Sequence, residues 1–304
     1  MRAMSSEGSR SAVIAALLGN SAIAVAKFVV ALLTGSAGML AEAFHSVADT
    51  GNQLLLLRGL AVSHRGRSVE HPFGRGKEVY FWSFMVAVML FVGGGVLAIQ
   101  RGIQALQHPH EVTEFISNFV VLGAAMVIES LSLRVAVRHF NDERGSRGVW
   151  RSLRGTKDSA VLVVLLEDSA AIVGLLVAGS GLALTLITGS AVWDGLASII
   201  IGILLGLVAV LLASETKELL VGEAADRSDR SAIRAAVLSV DEVEGIGRLL
   251  TMHMGPEEVL VNIEVDMRNN LTGEQVEGAT RRIEAAIREV LPEAGDIFVE
   301  AVHV

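Results

Sequence analysis

The 304 residues are 52% hydrophobic and only 19% charged, with a mean hydropathy of +0.54, whereas soluble domains carry about 25% charged residues. That balance describes a chain solvated by lipid. Cysteine is absent, which excludes disulfides, iron–sulfur clusters and thiolate metal sites, so any metal must be held by N and O ligands. The formal charge of -8 comes from an acidic excess after residue 213, and no basic patch supports nucleic-acid binding.

The first ten residues, MRAMSSEGSR, are short and polar with no cleavage-site pattern after them, so the first apolar run is expected as a retained span rather than a secretory signal. Six runs approach the roughly 20 apolar residues that a bilayer requires: 11–33, 38–60, 79–104, 113–138, 158–180 and 190–213. Cationic residues collect in alternate connections. Arg65, Arg67, Arg75 and Lys77 fall between the second and third runs, and Arg144, Arg147, Arg151, Arg154 and Lys157 between the fourth and fifth. By the positive-inside rule these connections and both termini are cytoplasmic. The opposite connections, TGSAG and SGLALTLITGSAV, carry no Lys or Arg, and the second is expected as a partly membranous loop.

After residue 213 nothing is apolar enough to span. SDRSAIRAAVLSV reads as an amphipathic helix, GIGRLLTMHMG and EEVLVNIEVDM as strands, LTGEQVEGATRRIEAAIREVL as a helix opened by a Thr-x-x-Gln cap, and GDIFVEAVHV as a last strand. In the middle strand Val261, Ile263, Val265 and Met267 alternate with Asn262, Glu264 and Asp266, so one face is expected to be buried. The expected fold is an α-helical membrane protein with six transmembrane helices (1–213) and a C-terminal α+β, ferredoxin-like αββαβ cytoplasmic domain (214–304).

The chemistry lies inside the apolar runs. His45 and Asp49 in the second run are i and i+4, so they share a helix face, with Asn52 a turn further along. Ionisable groups at mid-membrane cost about 2.5–3.5 kcal/mol each on insertion scales and mark functional sites by default. The fifth run carries Glu167 and Asp168 at similar depth. One imidazole and three carboxylates are the ligand inventory of a divalent-metal site. Neighbours in a helix point about 100° apart, so one of Glu167 and Asp168 can ligate while the other relays protons or packs elsewhere. Asn20, Asn52, Glu129 and Asp194 are candidates for auxiliary or structural polar roles, whereas Glu42, a turn into its run, is expected near the outer interface.

The stretch GSAGMLAEAFHSVADTGNQ, the six runs and the αββαβ tail together resemble the cation diffusion facilitator family of metal/proton antiporters. The resemblance implies that His45 and Asp49 are metal ligands, because the family places two ligands four residues apart on spans two and five. Span five departs from that spacing, since Val163 and Val164 precede Glu167 and Asp168 by four. The Glu-Asp pair resembles a branch that includes mitochondrial zinc exporters. The ligand set His45, Asp49, Glu167 and Asp168 then holds a divalent metal as substrate, zinc by family weight, with manganese, iron and cobalt open. Protons are the counter-ion, and no organic cofactor is implied.

The family's tail domain dimerises and in many members binds further metal, for which His253, Glu264, Glu300 and His303 are the candidates, with Asp266 and Asp296 nearby in sequence. Its charge interlock maps onto Lys77 with Glu223 or Asp226. A homodimer in a lipid bilayer, in a bacterial inner membrane, is therefore expected. No G-x-x-x-x-G-K-S/T motif occurs, so no nucleotide is expected and the gradient is the energy source. An intramembrane metalloprotease would need H-E-x-x-H, which is absent, so an enzyme is not expected. The remaining alternative is a membrane-anchored metal sensor or scaffold that uses the cytoplasmic domain.

Overall fold

The computed structural model describes residues 6–63, 65–108, 115–144 and 159–302. The cationic connection 145–158 and His303 lie outside them. The chain divides into two compact units, Met1–Gly59 with Phe81–Thr216 and Leu60–Tyr80 with Lys217–Val304.

Among the described residues each of the six apolar runs falls on a helix over most of its length: α1 Ser6–Thr34, α2 Ala37–Ser63, α3 Glu78–Met89 continuing through a π-helical stretch Leu90–Val96 into α4 Leu97–Gln107, α5 Phe115–Arg144, α6 Ser159–Thr188 and α7 Val192–Val221. Among the described residues, four helices are long and apolar enough to cross a membrane: Glu78–Gln107, Phe115–Val135, Leu162–Thr188 and Val192–Val221. The described apolar part of α1, Asn20–Thr34, is shorter, and α2 is interrupted by Glu42, His45, Asp49 and Arg58.

The expected loop over SGLALTLITGSAV is corrected. Residues 180–188 continue α6, leaving a connection of 189–191, because LALTLIT contains no helix breaker before Gly189. The turns after α1 and α6 repeat one device. Gly35 and Gly189 both adopt φ 70°, a left-handed C-terminal stop that glycine takes without a Cβ penalty, and their N–H groups bond Ala31 O at 3.0 Å and Thr185 O at 2.8 Å. In each turn the following serine N–H reaches back to the preceding threonine hydroxyl, Ser36 to Thr34 and Ser190 to Thr188.

Polarity in this unit is inverted relative to a soluble protein. Val25, Leu33, Phe91, Val120, Ile187 and Leu207 are exposed, while Lys27, Glu42, His45, Asn52, Glu129 and Glu167 are buried. A hydrocarbon solvent favours that distribution. The π stretch and α4 press onto α7 through glycines: a Cβ on Gly102 would lie 2.7 Å from Gly195 O, and one on Gly202 2.7 Å from Gly95 O. Ser198 Oγ adds a bond to Ala98 O at 2.8 Å. Small residues permit such close backbone approach where no hydrophobic effect drives helices together. Gly202→Leu should therefore overpack this contact at a cost of about 1–3 kcal/mol or more. The check is a lower Tm in detergent, and an unchanged Tm would show that the helices do not meet there.

The second unit holds α8 Arg227–Leu238, β1 Val243–Gly255, β2 Glu258–Met267, α9 Gly273–Val290 and β3 Ala294–Val302. The central strand β2 pairs antiparallel with β1 and parallel with β3, the αββαβ order expected from the sequence. Val261, Ile263, Val265 and Met267 are buried against Ile233, Val237, Ile283 and Ile287 of the two helices, whereas Asn262, Glu264 and Asp266 are half-exposed. Thr272 and Gln275 form the reciprocal cap at the start of α9. Residues 65–77 belong to this unit. Arg67 reaches Asp296 at 2.8 Å and Glu258 at 3.0 Å, and a Cβ on Gly76 would collide with Met254 O.

Candidate metal centre

α2 supplies one stripe of polar side chains: Glu42, His45, Ser46 and Asp49 stand at i, i+3, i+4 and i+7, a spacing that lines up on one helix face. All four are buried. His45 Nδ1 lies 3.3 Å from Asp49 Oδ1, off hydrogen-bonding geometry, so both atoms and His45 Nε2 remain without a hydrogen-bond partner. A buried imidazole with two unsatisfied nitrogens is costly in a protein interior. It suits a group whose partner is a transient cation.

α6 brings Glu167 and Asp168 to different neighbours. Glu167 faces α2, accepting from Asn52 Nδ2 through Oε1 and lying within hydrogen-bonding reach of the Asp49 carboxyl. Asp168 turns to α5, where Ser132 Oγ donates to its Oδ2 at 2.7 Å and Glu129 is an electrostatic neighbour. The structure thus brings His45, Asp49, Asn52 and Glu167 together and sets Asp168 with Ser132 and Glu129 beside them. Among the described residues no three His, Asp or Glu side chains stand at a common metal-holding distance.

Two carboxylates near this cluster are held by groups from other helices. Glu42, five residues into α2, is fully buried, its Oε2 3.0 Å from Lys27 Nζ of α1, and Lys27 also donates to Ser46 Oγ at 2.8 Å. The sequence reading passed over Lys27, although a lysine inside the first apolar run was itself a signal. Asp194 serves the backbone: it accepts from Ser36 Oγ at 2.7 Å, from Gly38 N at 3.2 Å and from Ala37 N. It caps the first N–H groups of α2 from the first turn of α7. Asn20 is half-buried on α1, and no described contact joins it to the cluster.

In the second unit, Lys77 Nζ lies 3.2 Å from Met252 Sδ and would be 3.8 Å from a Cβ on Gly222, the neighbour of Glu223; Glu223 O accepts from His253 N at 2.9 Å. His253 is buried opposite Val259, five residues along β2 from Glu264, or about 17 Å at the strand rise. Glu264 and Glu300 are register partners across β2 and β3. Hydrogen bonds from Arg248 Nε at 2.6 Å and Arg248 N at 2.9 Å hold the Glu264 carboxyl below its ordinary range. The structure therefore separates His253 from the Glu264–Glu300 pair.

Residues 13–221 match the cation efflux transmembrane domain, and residues 225–301 match the cation efflux protein cytoplasmic domain. The chain belongs to the cation efflux family. It is 32% identical over 269 residues to metal tolerance protein C4 of Arabidopsis thaliana, covering 86% of this chain and 58% of that protein. It is 31% identical over 242 residues to the mitochondrial proton-coupled zinc antiporter SLC30A9 of Homo sapiens, covering 79% and 43%. The manganese efflux system protein MneP of Bacillus subtilis is 21% identical over 297 residues, covering 96% and 95%. The chain spans about half the length of the first two. The named relatives are transporters or metal-tolerance proteins, and the family model that matches residues 13–221 describes a transmembrane domain rather than an enzyme.

Proposed function

We propose that this cation efflux protein is a homodimeric, six-span secondary antiporter that exports a divalent metal in exchange for protons, with residues 1–213 as the transport domain and 214–304 as a cytoplasmic dimerisation domain. Both termini face the cytoplasm in this reading, and a bacterial inner membrane is its setting. The supporting observation is one charge imbalance inside the transmembrane unit: among the described residues, Glu42, Asp49, Glu129, Glu167 and Asp168 are all buried, and so are one ammonium, Lys27, and one imidazole, His45. Five carboxylates cannot ionise together in so poor a dielectric unless cations join them. Protons and a divalent metal are the two cations that compete for such oxygens.

His45, Asp49 and Glu167 are the ligands in this proposal, with Asn52 orienting Glu167 and with Asp168 and Glu129 carrying protons on the α5 side. Metal entering from the cytoplasm displaces protons from Asp49 and Glu167, which stand within hydrogen-bonding reach of each other. Protons arriving from the other side release it. Zinc suits the imidazole, and the oxygen-rich remainder leaves manganese, iron and cobalt as alternatives. Lys77 with Glu223 or Asp226 is the proposed charge interlock, and a further cytoplasmic site among His253, Glu264, Glu300 and His303 would need the tail to close the distance between His253 and the glutamates.

Flux through purified protein in proteoliposomes tests the reading. An imposed proton gradient should drive zinc accumulation reported by an entrapped dye, and collapse of the gradient by an ionophore should stop it. Zinc movement indifferent to the gradient would reject antiport. Binding without any movement would favour the sensor or scaffold.

A further inference from the structure

The transport reading uses the carboxylates and His45 but leaves Lys27 without a task. This ammonium is fully buried, and it occupies one oxygen of Glu42 at 3.0 Å while donating to Ser46 Oγ at 2.8 Å. The other Glu42 oxygen, Oε1, has no hydrogen-bond partner and rests against Gly174 of α6, where a Cβ would collide with it. Gly174 is two turns from Glu167 along α6, and Glu42 is two turns from Asp49 along α2. Glu42 therefore lies in the same seam between α2 and α6 as the candidate ligands.

Its spacing matters more. Glu42-Ala43-Phe44-His45 is a Glu-x-x-His pair, the i, i+3 arrangement by which helical bundles present a carboxylate and an imidazole to one metal. The axial offset is only about 4.5 Å, within reach of a glutamate that turns along its helix. Glu42 is thus equipped to ligate beside His45, and the Lys27 ammonium is what holds it away.

We propose that Lys27 is a selectivity-determining residue: by locking Glu42 in an ion pair it keeps a further hard oxygen out of the metal site. The inference rests on the transport-site reading above, with His45, Asp49 and Glu167 as ligands. With the lock closed the ligand set is small and includes nitrogen, which suits four-coordinate zinc. With the lock removed Glu42 joins His45, and the larger, more oxygen-rich set favours manganese.

The test is calorimetric titration of the full chain in lipid nanodiscs with zinc chloride and with manganese chloride. Lys27→Met should lower the zinc-to-manganese affinity ratio by about tenfold, the lower end of what losing a supporting partner does to a metal site. Lys27→Met combined with Glu42→Gln should restore the wild-type ratio. An unchanged ratio in Lys27→Met, or an equally lowered one in the double variant, overturns the proposal. Lys27→Met leaves a buried carboxylate unpaired and can fail to fold, so Glu42→Gln alone supplies an independent arm. There the freed ammonium should weaken both metals and leave their ratio unchanged, whereas a ratio shifted toward zinc would mean that Glu42 already ligates and would overturn the proposal. Asp49→Asn separates this failure from failure of the underlying site. If it binds both metals as the wild type does, the site reading falls and the inference falls with it.

Discussion

Asp49→Ala is expected to abolish proton-driven metal flux, with a loss of more than about 100-fold in metal affinity, since even partners outside the ligand shell typically contribute 10–100-fold. Asp49 stands where the α2 stripe meets α6, 3.3 Å from His45 Nδ1 and within hydrogen-bonding reach of Glu167. Removing it deletes the group that joins the two helices at the candidate site. The fold should survive. A buried carboxylate among other carboxylates is an electrostatic burden, so its replacement by an apolar side chain is expected to hold or raise Tm. Wild-type flux in a folded Asp49→Ala protein would remove Asp49 from the site and, with it, the argument that the α2 stripe faces the transport path.

What was legible in the sequence follows from how local each signal is. His45 and Asp49 could be placed on one face because four residues along a helix fix that relation whatever the rest of the chain does. The β2 alternation was legible for the same reason, at a period of two. Lys27 and Glu42 required knowing which helix α1 packs against, and nothing in the intervening sequence, residues 28–41, states it. The position of Glu42 along α2 can be judged from its distance to the helix start, whereas its burial depends on a cation from another helix. Asp194 resisted for a similar reason: its partners, Ser36, Ala37 and Gly38, are more than 150 residues away in sequence. The α6 boundary was missed by mistaking a Gly-, Ser- and Thr-containing helical end for a loop, although only Gly189 carries the backbone conformation that stops the helix.

Glu167 and Asp168 show the boundary between the two kinds of information. The helix period alone requires these neighbours to point about 100° apart, but only the packing says that Glu167 meets Asn52 and Asp49 while Asp168 meets Ser132. Separate substitutions should therefore differ in kind. Glu167→Ala is expected to weaken zinc binding by more than about 100-fold, because it removes a proposed ligand from the α2 side and frees the Asn52 amide. Asp168→Ala should change zinc affinity by less than about tenfold, because its carboxyl is held on α5, yet it should reduce the protons moved per metal ion by removing an acceptor beside Glu129. Titration calorimetry of each variant reports the affinities, and the pH change outside proteoliposomes during zinc uptake reports the proton count. Equal affinity losses in the two variants would mean that both carboxylates reach the metal during transport, which requires α6 to rotate between states by a large part of the 100° that separates them.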